Sequence, residues 1–252
     1  MTTDVLLQFD KASKTFPGRN QRPVQALQDI SFSVRRGEFL TLLGPSGSGK
    51  STILRLAAGL EKPSSGSVAY QGQPISGPSL DRGFVFQSYS AFPWLTVRQN
   101  TAFGLAQRSG KAEEEEVLKW LKIMGLSDFA DLYPKALSGG MRQRLALARS
   151  MIVKPKLLLL DEPFGALDER TRETMQQLLL DVVSNSDCTV VFVTHDIREA
   201  IFLGDRIIVL SSRPARVLRN EVSPLPKPRR RQHLALPEFI ALYETILDEF
   251  PA

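Results

Sequence analysis

The chain is poor in cysteine, in long apolar runs and in repetition, and each absence removes a class of protein. Cys188 is the only cysteine in 252 residues, so no intrachain disulfide can form and a reducing compartment fits. It precedes the apolar run "TVVFV" and reads as a buried spectator thiol. No window approaches the ~18 continuous apolar residues of a membrane-spanning helix. The first residues, "MTTDVLLQFD", place an acid where a signal peptide wants basic residues, and their apolar run is too short. Internal repeats and low-complexity tracts are absent. What remains is a cytosolic protein, or one that docks on a membrane from the cytosolic side.

Hydrophobic residues make up 42% of the chain, enough for one sizeable core or a core with a subdomain inserted in it. The formal net charge of +5 is a mild basic excess compatible with nucleotides, nucleic acid or lipid headgroups, and it decides nothing alone.

Short apolar runs recur between loops and helical patterns. "EFLTLLG" (38–44), "GFVFQ" (83–87), "KLLLLDEP" (156–163), "CTVVFVTHD" (188–196) and "RIIVLSS" (206–212) read as strands. Several are apolar on both faces, as in a sheet covered by helices on each side. "KSTILRLAAGL" and "TRETMQQLLLDVVSN" (171–185) read as helices. Strands alternating with helices predict an α/β fold with a mainly parallel sheet.

From about 95 to 136 no strong strand appears. "EEEEVLKWLKIMGL" (113–126) puts Val117, Leu121 and Met124 on one helical stripe, with Trp120 beside it. Glu113 to Glu116 fall in the first turn, where negative charge complements the helix dipole. This region reads as a helical insertion. Beyond about 213 the chain becomes rich in Pro and Arg: a short strand or hairpin, an extended basic linker, then a helix "PEFIALYETILDEF". The basic run is either a solvated segment or a contact with anionic lipid.

"GPSGSGKS" (44–51) fits the spacing G-x-x-x-x-G-K-[ST], after a strand and at the start of a helix. Gly44, Pro45, Ser46, Gly47, Ser48, Gly49, Lys50 and Ser51, with Thr52, form the candidate phosphate cradle. Glycines let backbone N–H groups converge on phosphate oxygens, and the helix adds its positive end. Lys50 is expected to neutralise the β- and γ-phosphates, and the Ser51 hydroxyl to coordinate Mg²⁺. In "LLLLDEP" a buried strand releases two carboxylates at its C-terminal end, where ligands bind in open α/β sheets. Asp161 suits Mg²⁺ and Glu162 suits general base to the attacking water.

In order, the phosphate loop, "FQ", "LSGG", "LLLLDEP", "LD" and "TH" resemble the ATPase subunit of an ATP-binding cassette (ABC) transporter, across roughly residues 5 to 215. "LSGG" discriminates, because other P-loop classes lack it. The resemblance implies a P-loop NTPase (RecA-like) core, an antiparallel β subdomain and an inserted helical subdomain at about 95–150. Residues 1–215 would be the ATPase domain and 216–252 a C-terminal basic linker and helix. It implies that Phe16 stacks on adenine, that Gln87 contacts Mg²⁺ or water, and that His195 contacts the γ-phosphate. Asp168 would couple two sites across a dimer. Ser138, Gly139 and Gly140, opening the helix "MRQRLALARSMI", would close over the γ-phosphate of a partner subunit, with two ATP molecules sandwiched between two chains. The family often has Gln where this chain has Met141, which removes one polar side chain from that contact.

Finer stretches, "DEPFGALD" and "VTHDIREAIFLGDRIIVLSSRPARV" among them, are similar to importer cassettes of the nitrate/sulfonate/taurine type. The implied partners are a second cassette, identical or paralogous, integral permease subunits and, through them, a periplasmic or surface solute-binding protein. Nucleic acid is not expected. The implied location is peripheral, on the cytoplasmic face of the cell membrane. The alternative is a soluble ABC ATPase that remodels nucleic acid or a protein complex.

Overall fold

The computed structural model describes residues 4–18, 22–87, 91–109 and 114–250. In chain order the elements are β1 Val5–Phe16, β2 Val24–Arg35, β3 Phe39–Leu43, α1 Lys50–Ala58, β4 Ser65–Tyr70, β5 Gln73–Pro74 and β6 Arg82–Val85. Then come α2 Val97–Ser109, α3 Glu114–Ile123, α4 Gly139–Met151, β7 Leu157–Asp161, α5 Glu169–Ser184, β8 Thr189–Thr194, α6 Ile197–Leu203, β9 Arg206–Leu210, β10 Val217–Val222 and α7 Pro237–Glu249. They form two compact units, Met1–Ser79 with Thr189–Ala252, and Leu80–Cys188. No helix among the described residues is long and apolar enough to cross a membrane.

In the first unit, β3 (FLTLL) and β8 (TVVFVT) are buried at every position. They pair in parallel from Phe39↔Val190 to Leu43↔Thr194. β9 pairs in parallel on the other side of β3, and β10 returns antiparallel on β9. Continuous apolar runs make a sheet that must be covered on both faces. The helix α6 packs close over β3: Thr41 Oγ1 donates to Ala200 O at 3.1 Å. A second sheet, ordered β2-β1-β4-β5, is antiparallel throughout. It is the antiparallel subdomain the resemblance implied. The alternation of β1 and β2 is interrupted by register shifts and by Lys11 (φ 45°) and Asp29 (φ 51°), so no clean period-2 signal announces them.

In the second unit β6 and β7 pair in parallel, Arg82↔Leu157 to Val85↔Leu160. Val117, Leu121 and Met124 are fully buried and Trp120 nearly so, as the helical stripe predicts. Glu114, Glu115 and Glu116 occupy the first turn of α3; Glu113 lies outside the described residues. Cys188 is buried, and burial pushes its thiol up to about 12, which makes it an inert spectator.

In the C-terminal basic run Lys227, Arg230 and Arg231 are exposed, as a solvated segment predicts, and Arg229 departs from that reading. Arg229 is 6% exposed and donates to Asp205 Oδ1 at 2.8 Å and to Gly204 O at 2.6 Å. Lys227 Nζ reaches the other Asp205 oxygen at 2.9 Å, and Arg231 lies over the Phe202 ring. Asp205 also accepts the Phe39 N–H, tying this segment to the start of β3. A stretch of Pro and Arg looks solvated in sequence because its acceptor comes from a turn more than twenty residues upstream. Part of it is a 3-10 turn, Arg231–Ala235.

Burial alone would raise the Asp205 carboxyl, but hydrogen bonds from Lys227 and Arg229 outweigh it and hold the group below the usual carboxylate range. A depressed folded pKa stabilises fully above the unfolded value of about 3.9 and loses that stabilisation as pH falls through the folded value. Asp205→Asn is expected to cost about 3 kcal/mol, because Arg229 keeps its buried charge without the carboxylate. Denaturant unfolding at neutral pH checks this. The difference between the variant and the parent should shrink as the pH drops below about 3.9.

Candidate functional site

The loop that leaves β3 turns over its own carbonyls. Lys50 is 3% exposed, and its ammonium donates to Gly44 O and Pro45 O, both at 2.8 Å. Ser48 N donates to Pro45 O, making a tight turn whose tip, Ser46 and Gly47, is exposed. Ser48 is 1% exposed, and its hydroxyl oxygen has no hydrogen-bond partner among the described residues. Gly49 has φ 113°, and a Cβ there would lie 2.9 Å from both Ala26 O and Leu27 Cδ2. Only glycine fits, by conformation and by space. The helix α1 starts at Lys50 with no side-chain cap. Its N-terminal end, with Ser51 and Thr52 in the first turn, therefore faces the loop with the dipole of an anion site.

His195 leaves β8 beside this loop. Thr194 pairs with Leu43, and Gly44 N donates to Thr194 O at 3.3 Å. The His195 side chain is exposed, and Asp196 follows as the N-cap of α6. Phe16 ends β1 and is half-buried, with the Lys14 ammonium 4.9 Å from its ring centre. Lys14 is itself the register partner of Leu27, the residue packed under Gly49.

The remaining candidates lie in the second unit. Asp161 is the last residue of β7 and is 6% exposed. Glu162, half-buried, adopts φ 43°, a left-handed conformation that costs a residue with a Cβ about 1 kcal/mol or more. Gln87 Nε2 approaches Glu162 Oε2 at 3.4 Å. Ser138 is exposed and is the N-cap of α4, its hydroxyl accepting the Met141 N–H at 3.3 Å. Asp168 caps α5 in the same way, accepting the Thr171 N–H at 3.0 Å, and that bond holds its carboxyl below the usual range. Gly139 and Gly140 open α4, and a Cβ at Gly140 would meet Thr171 Cγ2 at 2.7 Å. The signature stretch and the Asp168 loop are thus packed against each other.

Sequence reading missed several supporting residues. Asn100 is fully buried; it accepts the Phe92 N–H at 2.8 Å and donates to the carbonyls of Phe92, Leu95 and Thr96. It shapes the loop carrying Trp94, which is 69% exposed. Phe92 makes tilted ring contacts with Trp94 and Phe103, and the Arg149 guanidinium lies over its ring. The spacing "TVRQ" at 96–99, a capping box made by Thr96 and Gln99, was a usable signal for this helix start. Residues 88–90 of the same stretch lie outside the described residues.

With this geometry in place, the likeness to known proteins is specific. The family model described as ABC transporter matches residues 27–165. The chain is 47% identical to the nitrate import ATP-binding protein NrtD of Synechocystis sp., over 87% of this chain and 83% of that one. It is 44% identical to the aliphatic sulfonates import ATP-binding protein SsuB of Bacillus cereus, over 88% of each. Among solved structures, the dimeric ATP-binding cassette MJ0796 in a post-hydrolysis state bound to ADP and Pi aligns with TM-score 0.77 and 33% identity, over 88% of this chain and all of that one.

Lys50→Ala removes the buried ammonium at the loop. Charged hydrogen bonds are worth about 1.5–3 kcal/mol each, so nucleotide affinity is expected to fall by about tenfold to a hundredfold. Titration with a fluorescent ATP analogue measures this; unchanged affinity would remove the loop from the nucleotide site.

Proposed function

The chain belongs to the ABC transporter family, as an ATP-binding, ATP-hydrolysing subunit of an importer, and we propose that the solute it helps to import is a small anion of the nitrate or organosulfonate kind. The observation that carries the proposal is the pair of relatives named for nitrate and for aliphatic sulfonates, each matched over most of its length. The same reading makes residues 1–215 the ATPase domain, with its helical subdomain at about 95–150, and residues 216–252 a C-terminal extension. It seats the subunit on the cytoplasmic face of the membrane, against permease subunits that receive solute from a binding protein. The exposed rings of Trp94 and Phe103, both in contact with the half-buried Phe92, are the surface offered to a short permease helix.

In the proposed mechanism Lys50 exchanges its bonds to Gly44 O and Pro45 O for oxygens of the β- and γ-phosphates. The buried Ser48 hydroxyl, the loop N–H groups and the start of α1 supply further donors to the same anion. Phe16 presents a half-exposed ring for adenine. Ser51, Gln87 and Asp161 offer hydroxyl, amide and carboxylate oxygens, a hard donor set that fits Mg²⁺, which when bound would neutralise phosphate charge. Glu162 takes the proton of the attacking water, Gln87 orients it, and His195 contacts the γ-phosphate. Ser138, Gly139 and Gly140 complete the nucleotide site of a second cassette, identical or paralogous, and Asp168 couples the two sites. ATP binding closes that dimer and hydrolysis reopens it.

Glu162→Gln is expected to keep ATP binding while lowering hydrolysis by about a hundredfold to ten-thousandfold, and to accumulate a dimer with ATP. Light scattering coupled to size exclusion detects the dimer, and a phosphate-release assay the loss; hydrolysis at the parent rate removes Glu162 as the base. Ser138→Arg separates the two phosphate-binding ends. ATP binding to the monomer should persist while hydrolysis and ATP-driven dimerisation disappear. Loss of monomer binding would show instead that the stretch serves its own chain. For the solute, uptake by the subunit with its cognate permease should be competed by nitrate or short alkyl sulfonates and not by sugars.

A further inference from the structure

The mechanism leaves one buried acid without a task. Glu199, on α6, is 7% exposed, and its carboxylate accepts the Thr194 hydroxyl proton at 2.6 Å. Thr194 is 2% exposed and immediately precedes His195. Its hydroxyl oxygen also accepts the Asp196 N–H at 3.0 Å, from the residue on the other side of His195. The Asp196 side chain in turn accepts the Glu199 N–H at 3.1 Å. These contacts close a ring around His195: Thr194 hydroxyl to Glu199 carboxylate, Glu199 N–H to Asp196 carboxylate, Asp196 N–H to Thr194 hydroxyl. The Thr194 carbonyl then accepts Gly44 N–H, fastening the ring to the first residue of the phosphate loop.

A hydroxyl has one proton and two lone pairs. With its proton committed to Glu199, the Thr194 oxygen keeps a lone pair directed at the Asp196 N–H. The backbone on both sides of His195 is therefore set by a buried acceptor at position 199, while the imidazole stays exposed. We propose that Glu199, acting through the Thr194 hydroxyl, is a positioning residue that sets where His195 meets the terminal phosphate. The proposal rests on the reading of His195 as the γ-phosphate contact.

Thr194→Val keeps the shape and deletes the hydroxyl; Thr194→Ser keeps the hydroxyl. Glu199→Ala deletes the acceptor, whereas Glu199→Gln retains a carbonyl that accepts the same proton. Steady-state ATP hydrolysis by the full chain should show kcat lowered by about tenfold to a hundredfold in Thr194→Val and Glu199→Ala, with KM for ATP unchanged. Thr194→Ser and Glu199→Gln should recover most of the rate. The chain has two histidines, so isotope-labelled histidine gives one signal from His195 and one from His233. The His195 signal should shift in Thr194→Val and not in Thr194→Ser, with the His233 signal constant in both. A Thr194→Val enzyme with the parent kcat, or a slowed one whose His195 signal has not moved, overturns the inference. His195→Ala distinguishes the two levels. If it hydrolyses ATP at the parent rate, the reading of His195 itself falls and this inference with it. If it is slow while Thr194→Val is not, only the positioning role falls.

Discussion

β3, β7 and β8 are buried along their whole length, and a strand in that state can carry reactive polar groups only where it ends. Its backbone is paired with neighbours and both faces are packed. The candidate residues follow this constraint. Gly44 comes directly after β3, Asp161 is the last residue of β7 with Glu162 next, and His195 comes directly after β8. All leave the C-terminal ends of their strands, where open α/β sheets bind ligands. The same constraint explains the state of Lys50. An ammonium this deep has to be solvated by protein, and the carbonyls of Gly44 and Pro45 do so; in the proposed mechanism phosphate oxygens take their place.

How the helices start separates two kinds of end. α4, α5 and α6 each begin on a motif residue that caps them: Ser138, Asp168 and Asp196 accept the N–H of a residue in the first turn. Such a cap satisfies one of the helix's orphan donors and is typically worth ~1 kcal/mol. α1 begins instead on Gly49, with a left-handed backbone and no side-chain cap. A serine or aspartate in its place would occupy donors that an anion uses, and the Cβ would collide with Ala26 O. α7 also starts without a side-chain cap, but α1 is the uncapped start that directly follows the phosphate loop, which suits the proposed site for a highly charged ligand.

The parallel strands were legible in sequence because two-sided burial writes itself as an uninterrupted apolar run, with motif residues at its end. α3 was legible from the spacing of Val117, Leu121 and Met124. β1 and β2 were not, since bulges at Lys11 and Asp29 shift the side chains from one face to the other mid-strand. The burial of Arg229 is not legible in sequence, because its acceptor, Asp205, is a contact that local sequence cannot contain. The supporting residues around His195 and under Trp94 were invisible for a related reason. Thr194, Glu199 and Asn100 matter through whom they touch, and Thr, Glu and Asn occur everywhere on protein surfaces.

The packing of Gly140 on Thr171 has a consequence for the proposed dimer. Thr171 is the residue whose N–H Asp168 caps, so the starts of α4 and α5 touch at van der Waals distance. A Cβ at position 140 would fall 2.7 Å from Thr171 Cγ2, so the Thr171 side chain or a helix start would have to shift. Arg142 and Arg172 reinforce each start in the same manner, each donating to the carbonyl of the residue before its cap, Leu137 and Leu167. This close packing couples the positions of the two helix starts. In the proposed arrangement Ser138 and Asp168 both face the second cassette, so they would reach it together or not at all. Closure around ATP then becomes a single event, and a cassette with a misplaced signature stretch would lose the coupling between sites along with the contact to phosphate.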